Sequence, residues 1–329
     1  MGHLSRCISL ALQFITHEGN TVVFAIWANP VAQNYLERYN LPYVCLMKET
    51  PKQETLQLQK MIVEGGYQVG VFDSYDLNAH PGYLHFFKRI PEFTVVAIED
   101  NVKYPEQADI IINPNLFGGD RLNLYDPNQS LLLFGPQYAL LNPTLLPQRK
   151  TADDSILITF GGSDPQRMTL PVLQAISELG FPCSVIVGPF FEETAKIKGY
   201  CESFAHLHVH EQVTDLGPFL ARSKLAICAS GSTIHEAAYL GVPTLTYWTV
   251  PNQRLTAEKY GELGLGVNMG AWADFDPGRL NTEVKSLLNN PTEYEVMVHR
   301  NRKLIDGAGG QRLVKEITRY VLSGSRYNG

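Results

Sequence analysis

Residues 225–243 read LAICASGSTIHEAAYLGVP, an apolar, strand-like run that passes through small residues directly into a helical pattern. The junction contains Ser230, Gly231, Ser232 and Thr233. Free N–H groups and the positive end of a helix dipole at such a junction suit a diphosphate, and Glu236, one turn later, can accept hydrogen bonds from a ribose diol. The same residues also fit a capping box, with Ser232 or Thr233 as N-cap and Glu236 at N3 or N4. Both interpretations stay open, and they are compatible with each other.

The same succession of strand and helix runs through the rest of the chain. Apolar, β-branched runs of strand length occupy 21–27, 42–46, 67–73, 93–98, 155–160, 183–188, 206–210, 224–230 and 243–248. Helical patterns occupy 30–40, 52–65, 79–90, 276–289, 291–305 and 310–322. Strands that alternate with helices predict α/β domains whose parallel sheets are covered by helices on both faces.

One segment interrupts the alternation. Residues 142–155, NPTLLPQRKTADDS, carry two prolines and a polar run without a period, which is typical of a linker between domains. It predicts two domains of similar size, 1–148 and 149–329. Because ligands of open α/β sheets bind beyond the carboxyl ends of the strands, we expect the chemistry in the loops that follow the strands.

Composition limits the classes of partner. The 329 residues include 44% apolar residues and carry a net charge of −6, so the chain can bury a core but has no basic surplus for nucleic acid or an anionic membrane.

Its five cysteines form no C-x-x-C pair, which suits a reducing cytoplasm and argues against a disulfide framework or a zinc site. No apolar run reaches the length of a membrane span. His206, His208 and His210 alternate along one strand without a carboxylate partner, so we expect no metal site there.

Two more loops of the second half carry polar residues after strands. In ILITFGGSDPQRMTL (156–170), Gly162 and Ser163 stand between a strand and a helix, where glycine lets the backbone approach an anion closely. The alternative is a tight turn with Asp164 as N-cap and Pro165 at the first helical position.

The second of these loops is TVPNQRLTAEKY (249–260), which follows the next strand and contains the paired amides Asn252 and Gln253. Amide side chains can read the edge of a nucleotide or a sugar. They can equally well form a polar turn.

The first half offers fewer candidates. Asp73 and Tyr75 follow the strand in VFDSYDLN (71–78) and are candidates for a base or for positioning, although aspartates also form turns. His3 stands in MGHLSRC at the start of an amphipathic helical pattern, which we prefer to a signal peptide. A histidine at a helix N-terminus can stay neutral and act as a base, or can be a surface residue without a role.

Taken together, these stretches resemble one family of proteins. GHLSRCISLA, VFDSYDL, AIED, IINPNL, LLLFGPQYALLNP, ITFGGSDP, SGSTIHEAAYLGVPTL, the Asn-Gln pair and DGAGGQRL occur in one order. The chain resembles the UDP-sugar hydrolases of pseudaminic acid biosynthesis and the related spore-coat polysaccharide proteins. More distantly, it is similar to the UDP-GlcNAc glycosyltransferases of peptidoglycan synthesis. The resemblance covers essentially the whole chain.

The resemblance implies a GT-B fold, in which two Rossmann-like domains face a cleft and the last helix returns to the first domain. UDP would lie on the second domain, with Gly162 and Ser163 near the phosphates and the junction at 230–233 cradling them. Glu236 would hold the ribose. Asn252 and Gln253 would face the sugar or its phosphate.

The resemblance also implies an activity. His3 would activate the water that attacks the anomeric carbon, and Asp73 and Tyr75 are the other catalytic candidates. The implied substrate is UDP-2,4-diacetamido-2,4,6-trideoxy-β-L-altrose, hydrolysed with inversion by a cytoplasmic enzyme without cofactor or metal, and we expect a monomer. The alternatives are a glycosyltransferase that needs an acceptor, a non-catalytic sugar-nucleotide-binding protein, and an epimerase that leaves UDP attached.

The chain departs from the family pattern at its start. The family has a strand and a glycine-rich turn before the histidine, whereas this sequence reads Met1-Gly2-His3. We therefore expect either that the true start lies upstream or that the first strand is lost, which would leave the first sheet without its central member. Two further departures concern the identity of the sugar. Glu99-Asp100 stands where the family has an Asp-Asp pair, and Asn142 stands where the family has an arginine.

Overall fold

The structure is a computed structural model that describes residues 2–47, 50–74, 82–99, 108–145 and 155–324. The chain divides into two compact units. Unit 1 comprises Met1–Pro143 and Gly307–Gly329, and unit 2 comprises Thr144–Asp306. The division after Pro143 falls within the proposed linker, and the segment from Gly307 onward is part of unit 1, where the resemblance places the last helix.

The first part of unit 1 alternates helices and strands. They are α1 Gly2–Glu18, β1 Phe24–Trp27, α2 Pro30–Arg38, β2 Tyr43–Leu46, α3 Pro51–Gly65, β3 Val69–Phe72, α4 Tyr83–Lys88, β4 Thr94–Ile98, β5 Ile110–Asn113 and β6 Leu131–Phe134. The predicted strands and helices of this part are confirmed with bounds that differ by a few residues. α3 begins one residue earlier than predicted, and residues 79–81 of the predicted helix 79–90 lie outside the described residues. β5 and β6 are additional, because apolar runs of four residues are too short to show a period.

The strands of unit 1 form two parallel sheets, β1–β2 and β3–β4–β5–β6. α1 packs on both of them, because Ile8 lies in one apolar cluster with Phe24 of β1 and Leu10 lies in another with Val69 of β3. In the described part of the chain, no strand pairs with the edge of β1 opposite β2 or with the edge of β3 opposite β4. In this part of the chain, the two sheets of unit 1 are therefore not hydrogen-bonded to each other.

Unit 2 is a single doubly wound domain. Its elements are β7 Ser155–Thr159, α5 Thr169–Ile176, β8 Cys183–Val187, α6 Thr194–Cys201, β9 Leu207–Glu211, α7 Gly217–Arg222, β10 Ser223–Ala229, α8 Thr233–Leu240, β11 Thr244–Trp248, α9 Pro251–Glu262, β12 Val267–Ala271, α10 Pro277–Asn289 and α11 Pro291–Leu304. The strands are parallel in the order β12-β11-β10-β7-β8-β9. The chain order reverses between β7 and β10, which is the point where sheets of this class bind ligands.

The last helix, α12 Gly309–Ser323, packs on unit 1. Leu313 and Ile317 are fully buried in a cluster with Val96 of β4. The Nη1 of Arg312 donates to the carbonyl of Gln137 at 2.9 Å. Close approach explains the glycine at the start of the helix, because a Cβ on Gly309 would collide with backbone atoms.

Candidate functional site

A charged cluster lies in unit 1 at the start of α1 and the end of β3. His3 is the second residue of α1, and Asp73 directly follows β3. The Nδ1 of His3 lies 2.5 Å from Oδ1 of Asp73. Arg6, on the same turn of α1, donates from Nη2 to Oδ1 at 2.5 Å and from Nε to Oδ2 at 2.6 Å. The structure thus brings two of the three catalytic candidates together, while Tyr75 lies outside the described residues.

The electrostatics of this cluster determine which nitrogen of His3 carries a proton. Burial alone raises the pKa of Asp73, but hydrogen bonds and charges from Arg6 and His3 outweigh it and lower that pKa to about 2. An ionised carboxylate has no proton to donate, so the short contact requires a proton on Nδ1. The 3.1 Å approach of Nη2 of Arg6 to Nδ1 is then a contact between two donors. In neutral His3 the lone pair therefore belongs to Nε2, as a general base requires.

Arg6 and Cys7 complete the cluster, and neither was among the predicted site residues. The Sγ of Cys7 donates to Oδ2 of Asp73 at 3.4 Å. Burial, reinforced by the charge of Asp73, raises the pKa of Cys7, so the thiol stays neutral and is not a nucleophile. The sequence could have indicated Arg6, because it follows His3 by three residues and residues three apart share a helix face. Nothing in the sequence indicated that Arg6 pairs with Asp73.

In unit 2, the loop after β7 lies beside the reversal of strand order. Gly161 has a φ of 80°, which favours glycine, and a Cβ on Gly162 would meet no atom within 4 Å. The loop after β8 holds it in place, because the N–H of Phe190 donates to the carbonyl of Gly162 at 3.0 Å. A Cβ on Gly188 would collide with that same carbonyl. Gly162 thus belongs to a fixed loop with open space beside it.

Asp164 caps α5, but it lies further from the first residue of the helix than an N-cap residue does. The tight-turn alternative placed Pro165 at the first helical position, but α5 begins at Thr169, because the positive φ of 51° at Arg167 cannot be part of an α-helix. The buried carboxylate of Asp164 accepts hydrogen bonds from the N–H groups of Met168 at 2.8 Å and Thr169 at 2.9 Å. It also accepts one from the hydroxyl of Thr169 at 2.6 Å. Asp164 therefore fixes the shape of the whole loop.

We expect Asp164→Ala to lower the free energy of unfolding by about 3 kcal/mol, because it leaves buried donors unpaired. Asp276→Ala is the matched control, since Asp276 is an exposed N-cap that accepts from Gly278 and Arg279, and it should cost about 1 kcal/mol. Urea unfolding of both variants measures the difference. Equal losses would show that Asp164 is an ordinary cap.

A cavity of about 300 Å³ opens beside this loop and is lined in part by Ser163, Arg167 and Phe190. It is not a ready-made anion site. The guanidinium of Arg167 already contacts Glu192 at 3.0 Å and Glu193 at 3.7 Å, so an entering phosphate would have to compete with both carboxylates.

The loop after β10 lies on the other side of the strand-order reversal. Ser232 precedes α8 without a side-chain capping bond, so the capping-box alternative is wrong. The backbone N–H groups of Ser232 and Thr233 donate to no described residue. A Cβ on Gly231 would meet no atom within 4 Å. This helix start therefore combines free donors with open space, which suits an anion.

Ser230 is placed differently from its neighbours. Its side chain is buried, its Oγ lies 2.8 Å from Oγ1 of Thr246, and it donates to the carbonyl of Tyr247 at 2.9 Å. The hydroxyl therefore joins β10 to β11. This geometry gives no support to the prediction of Ser230 as a phosphate ligand.

The remaining candidates stand in the first turns of two helices. Glu236 lies in the first turn of α8, and Asn252 and Gln253 lie in the first turn of α9, not in a polar turn. The side chain of Asn252 is outside the described part of the structure. The Oε1 of Gln253 accepts from the N–H of Thr249 at 3.0 Å and from its hydroxyl at 3.1 Å, which leaves the amide nitrogen as a donor. The roles of these three residues stay predictions.

Comparison with known proteins places this geometry in a structural class. No family model matches the chain. The spore coat polysaccharide biosynthesis protein SpsG of Bacillus subtilis (strain 168) is 25% identical over 221 residues, which are 64% of this chain and 65% of that protein. The match thus spans slightly less than two thirds of the relative's length.

Several solved structures are similar to this chain over nearly its whole length. MurG of Acinetobacter baumannii has a TM-score of 0.68 at 17% identity, covering 97% of this chain and 96% of that one. A putative UDP-N-acetylglucosamine 2-epimerase of Listeria monocytogenes has a TM-score of 0.70 at 18% identity, covering 98% and 95%. The chain has a two-domain, Rossmann-like GT-B fold. None of the helices in its described part is long and apolar enough to cross a membrane.

Proposed function

We propose that the protein hydrolyses a UDP-linked sugar to the free sugar and UDP. The observation that carries the proposal is the contact of His3 with Asp73, because it leaves Nε2 as the basic nitrogen of a histidine that is held in place. The name of the SpsG relative, which refers to polysaccharide biosynthesis, and the UDP-sugar named for the Listeria structure support a nucleotide-sugar substrate. The family resemblance implies that the sugar is 2,4-diacetamido-2,4,6-trideoxy-β-L-altrose.

UDP would bind to unit 2 at the reversal of strand order. The N–H groups of Ser232 and Thr233 would donate to the diphosphate, with Gly162 and Ser163 beside it. Glu236 would accept from the ribose hydroxyls, and the amide nitrogen of Gln253, with Asn252 beside it, would donate to a phosphate or the sugar.

In the proposed step, Nε2 of His3 takes a proton from water while the water oxygen forms a bond to the anomeric carbon. The bond from that carbon to the diphosphate oxygen breaks, and its electron pair leaves with UDP. The helix-end N–H groups stabilise the negative charge that develops there. Attack opposite the leaving group predicts inversion through an oxocarbenium-like transition state.

The experiment is incubation with the UDP-diacetamido sugar in ¹⁸O-labelled water without any acceptor. We expect UDP release, the label on C1 of the free sugar, and an inverted anomer as the first product seen by NMR. Release only with an added acceptor would indicate a glycosyltransferase, and an altered sugar still attached to UDP would indicate an epimerase. Label in the phosphate would exclude attack at carbon.

A second experiment addresses Glu236. If it binds the ribose diol, UDP should bind about tenfold more tightly than 2′-deoxy-UDP, because loss of one hydrogen bond to a charged group costs about 1.5 kcal/mol. In Glu236→Ala this preference should disappear, while Glu262→Ala, an exposed glutamate of α9, should retain it. Titration calorimetry with both nucleotides gives the ratios, and an unchanged preference in Glu236→Ala would contradict the assignment.

A further inference from the structure

A second cluster at the carboxyl ends of the strands of unit 1 joins three elements. Trp27, the last residue of β1, donates from Nε1 to Oε2 of Glu54 in the first turn of α3 at 2.8 Å. Tyr83, the first residue of α4, donates its hydroxyl to Oε1 of Glu54 at 2.6 Å. The glutamate is thus held by one donor on each oxygen. Trp27 nevertheless remains 37% exposed.

This cluster adjoins the one that contains His3. The ring of Tyr83 packs edge-on against Phe72 at 6.3 Å between centroids. Phe72 is the last residue of β3, and the next residue is Asp73, the partner of His3. Trp27 and Asp73 therefore lie at the same carboxyl edge of unit 1.

Within the part of the chain that the structure describes, no cation in contact with Glu54 balances its charge. No basic side chain in the described ranges forms an ion pair with it, whereas Glu64, near the other end of the same helix, contacts Lys60 at 3.8 Å. Each oxygen of a carboxylate can accept more than one hydrogen bond. Glu54 can therefore accept from a ligand, and it repels a second carboxylate.

An exposed aromatic ring beside such a carboxylate matches the chemistry of a sugar ring. The apolar C–H face of the sugar can lie on the indole, while its hydroxyl or acetamido N–H groups donate to Glu54. A uronic acid would bring its own negative charge to Glu54 in a half-buried place, which is unfavourable.

We infer that Trp27 and Glu54 form a subsite on unit 1 that accepts a neutral glycosyl group with hydrogen-bond donors and rejects a uronate. The inference rests on the proposed function, because the glycosyl group reaches this subsite as part of a UDP-sugar. Glu54 acts here as a specificity-determining residue and takes no part in the proton transfer by His3.

The test compares binding of UDP, UDP-N-acetylglucosamine and UDP-glucuronate by titration calorimetry. We expect the wild-type protein to bind UDP-N-acetylglucosamine about tenfold more tightly than UDP-glucuronate, from repulsion of about 1.4 kcal/mol. Glu54→Gln should bring the two affinities within about twofold and leave the affinity for UDP unchanged. Glu64→Gln, with the same substitution on the exposed side of α3, should keep the tenfold ratio.

Trp27→Ala provides an independent readout. It should weaken the binding of UDP-N-acetylglucosamine by about fivefold to tenfold through loss of the stacking surface, again without effect on UDP. If UDP binds but the ratio of the two UDP-sugars is the same in the wild type and in Glu54→Gln, the inference is overturned while nucleotide binding stands. If UDP itself does not bind, the proposed function fails and the inference falls with it.

Discussion

His3→Asn is expected to lower kcat for hydrolysis by about 10²- to 10⁴-fold, the range over which a positioned general base contributes. The asparagine amide can still contact Asp73, but it has no basic nitrogen in place of Nε2. Because His3 lies on unit 1 and the proposed nucleotide site lies on unit 2, the affinity for UDP should not change. Single-turnover kinetics and calorimetry on the same preparation measure the two quantities.

The matched control is His17→Asn, which makes the same substitution at an exposed position in the last turn of α1. It should leave kcat within about twofold of the wild type, as surface substitutions have small effects. Wild-type kcat in His3→Asn, in a preparation that binds UDP, would remove the histidine from the mechanism. Loss of UDP affinity in His3→Asn would show that its effect on rate is not specific to proton transfer.

Asp73→Asn is expected to lower the free energy of unfolding by about 3–5 kcal/mol at pH 7, because it leaves Arg6 in a buried place without its carboxylate. The side chains of Arg6 and Asp73 are 17% and 2% exposed. The amide can also turn its N–H₂ toward His3 and favour the wrong tautomer, so kcat should fall as well. Urea unfolding and hydrolysis assays measure the two effects separately.

The pH dependence of this loss has a definite sign. The pKa of Asp73 falls from an ordinary value near 4 to about 2 on folding, so its ionisation contributes about 2.5 kcal/mol of stability above pH 4. That contribution disappears as pH falls from about 4 through 2, because the unfolded chain takes up the proton first. The stability difference between wild type and Asp73→Asn should therefore shrink in that interval.

Asp126→Asn is the control for this pH series, since Asp126 is an exposed turn residue of the same unit. It should change the stability by less than about 1 kcal/mol at pH 7. A difference between wild type and Asp73→Asn that stays constant from pH 7 to pH 2 would show that folding does not lower the pKa of Asp73.

Local patterns predicted most of the secondary structure. α10 and α11 were predicted within one residue at each end, because their apolar spacing and proline starts are contained in the segments themselves. β5, β6 and β12 were not predicted. The first two are four-residue runs, and VNMGA of β12 contains a glycine and a polar residue. These segments are strands because neighbouring strands pair with them, and a segment by itself does not show that pairing.

The residues of the candidate site likewise fall into those that the sequence could indicate and those that it could not. The glycine, serine and threonine residues at strand ends could be recognised from the sequence, because backbone freedom and helix starts are local properties. Whether the side chain of Ser230 faces a ligand or the interior of the sheet depends on contacts with other strands, which a local sequence pattern does not show. In the structure the hydroxyl of Ser230 points toward β11, whereas the backbone N–H groups of Ser232 and Thr233 donate to none of the described residues.

The sequence by itself determined the class of domain, the positions of most strands and helices, and the individual candidates His3 and Asp73. Only the tertiary structure decided that these two residues, separated by 70 positions, form one partly buried, hydrogen-bonded cluster with Arg6. Periodicity and capping act over a few residues and are therefore visible in a linear pattern. The partners of a buried charge are set by which strand ends and helix ends the topology brings together, and they are not visible in such a pattern.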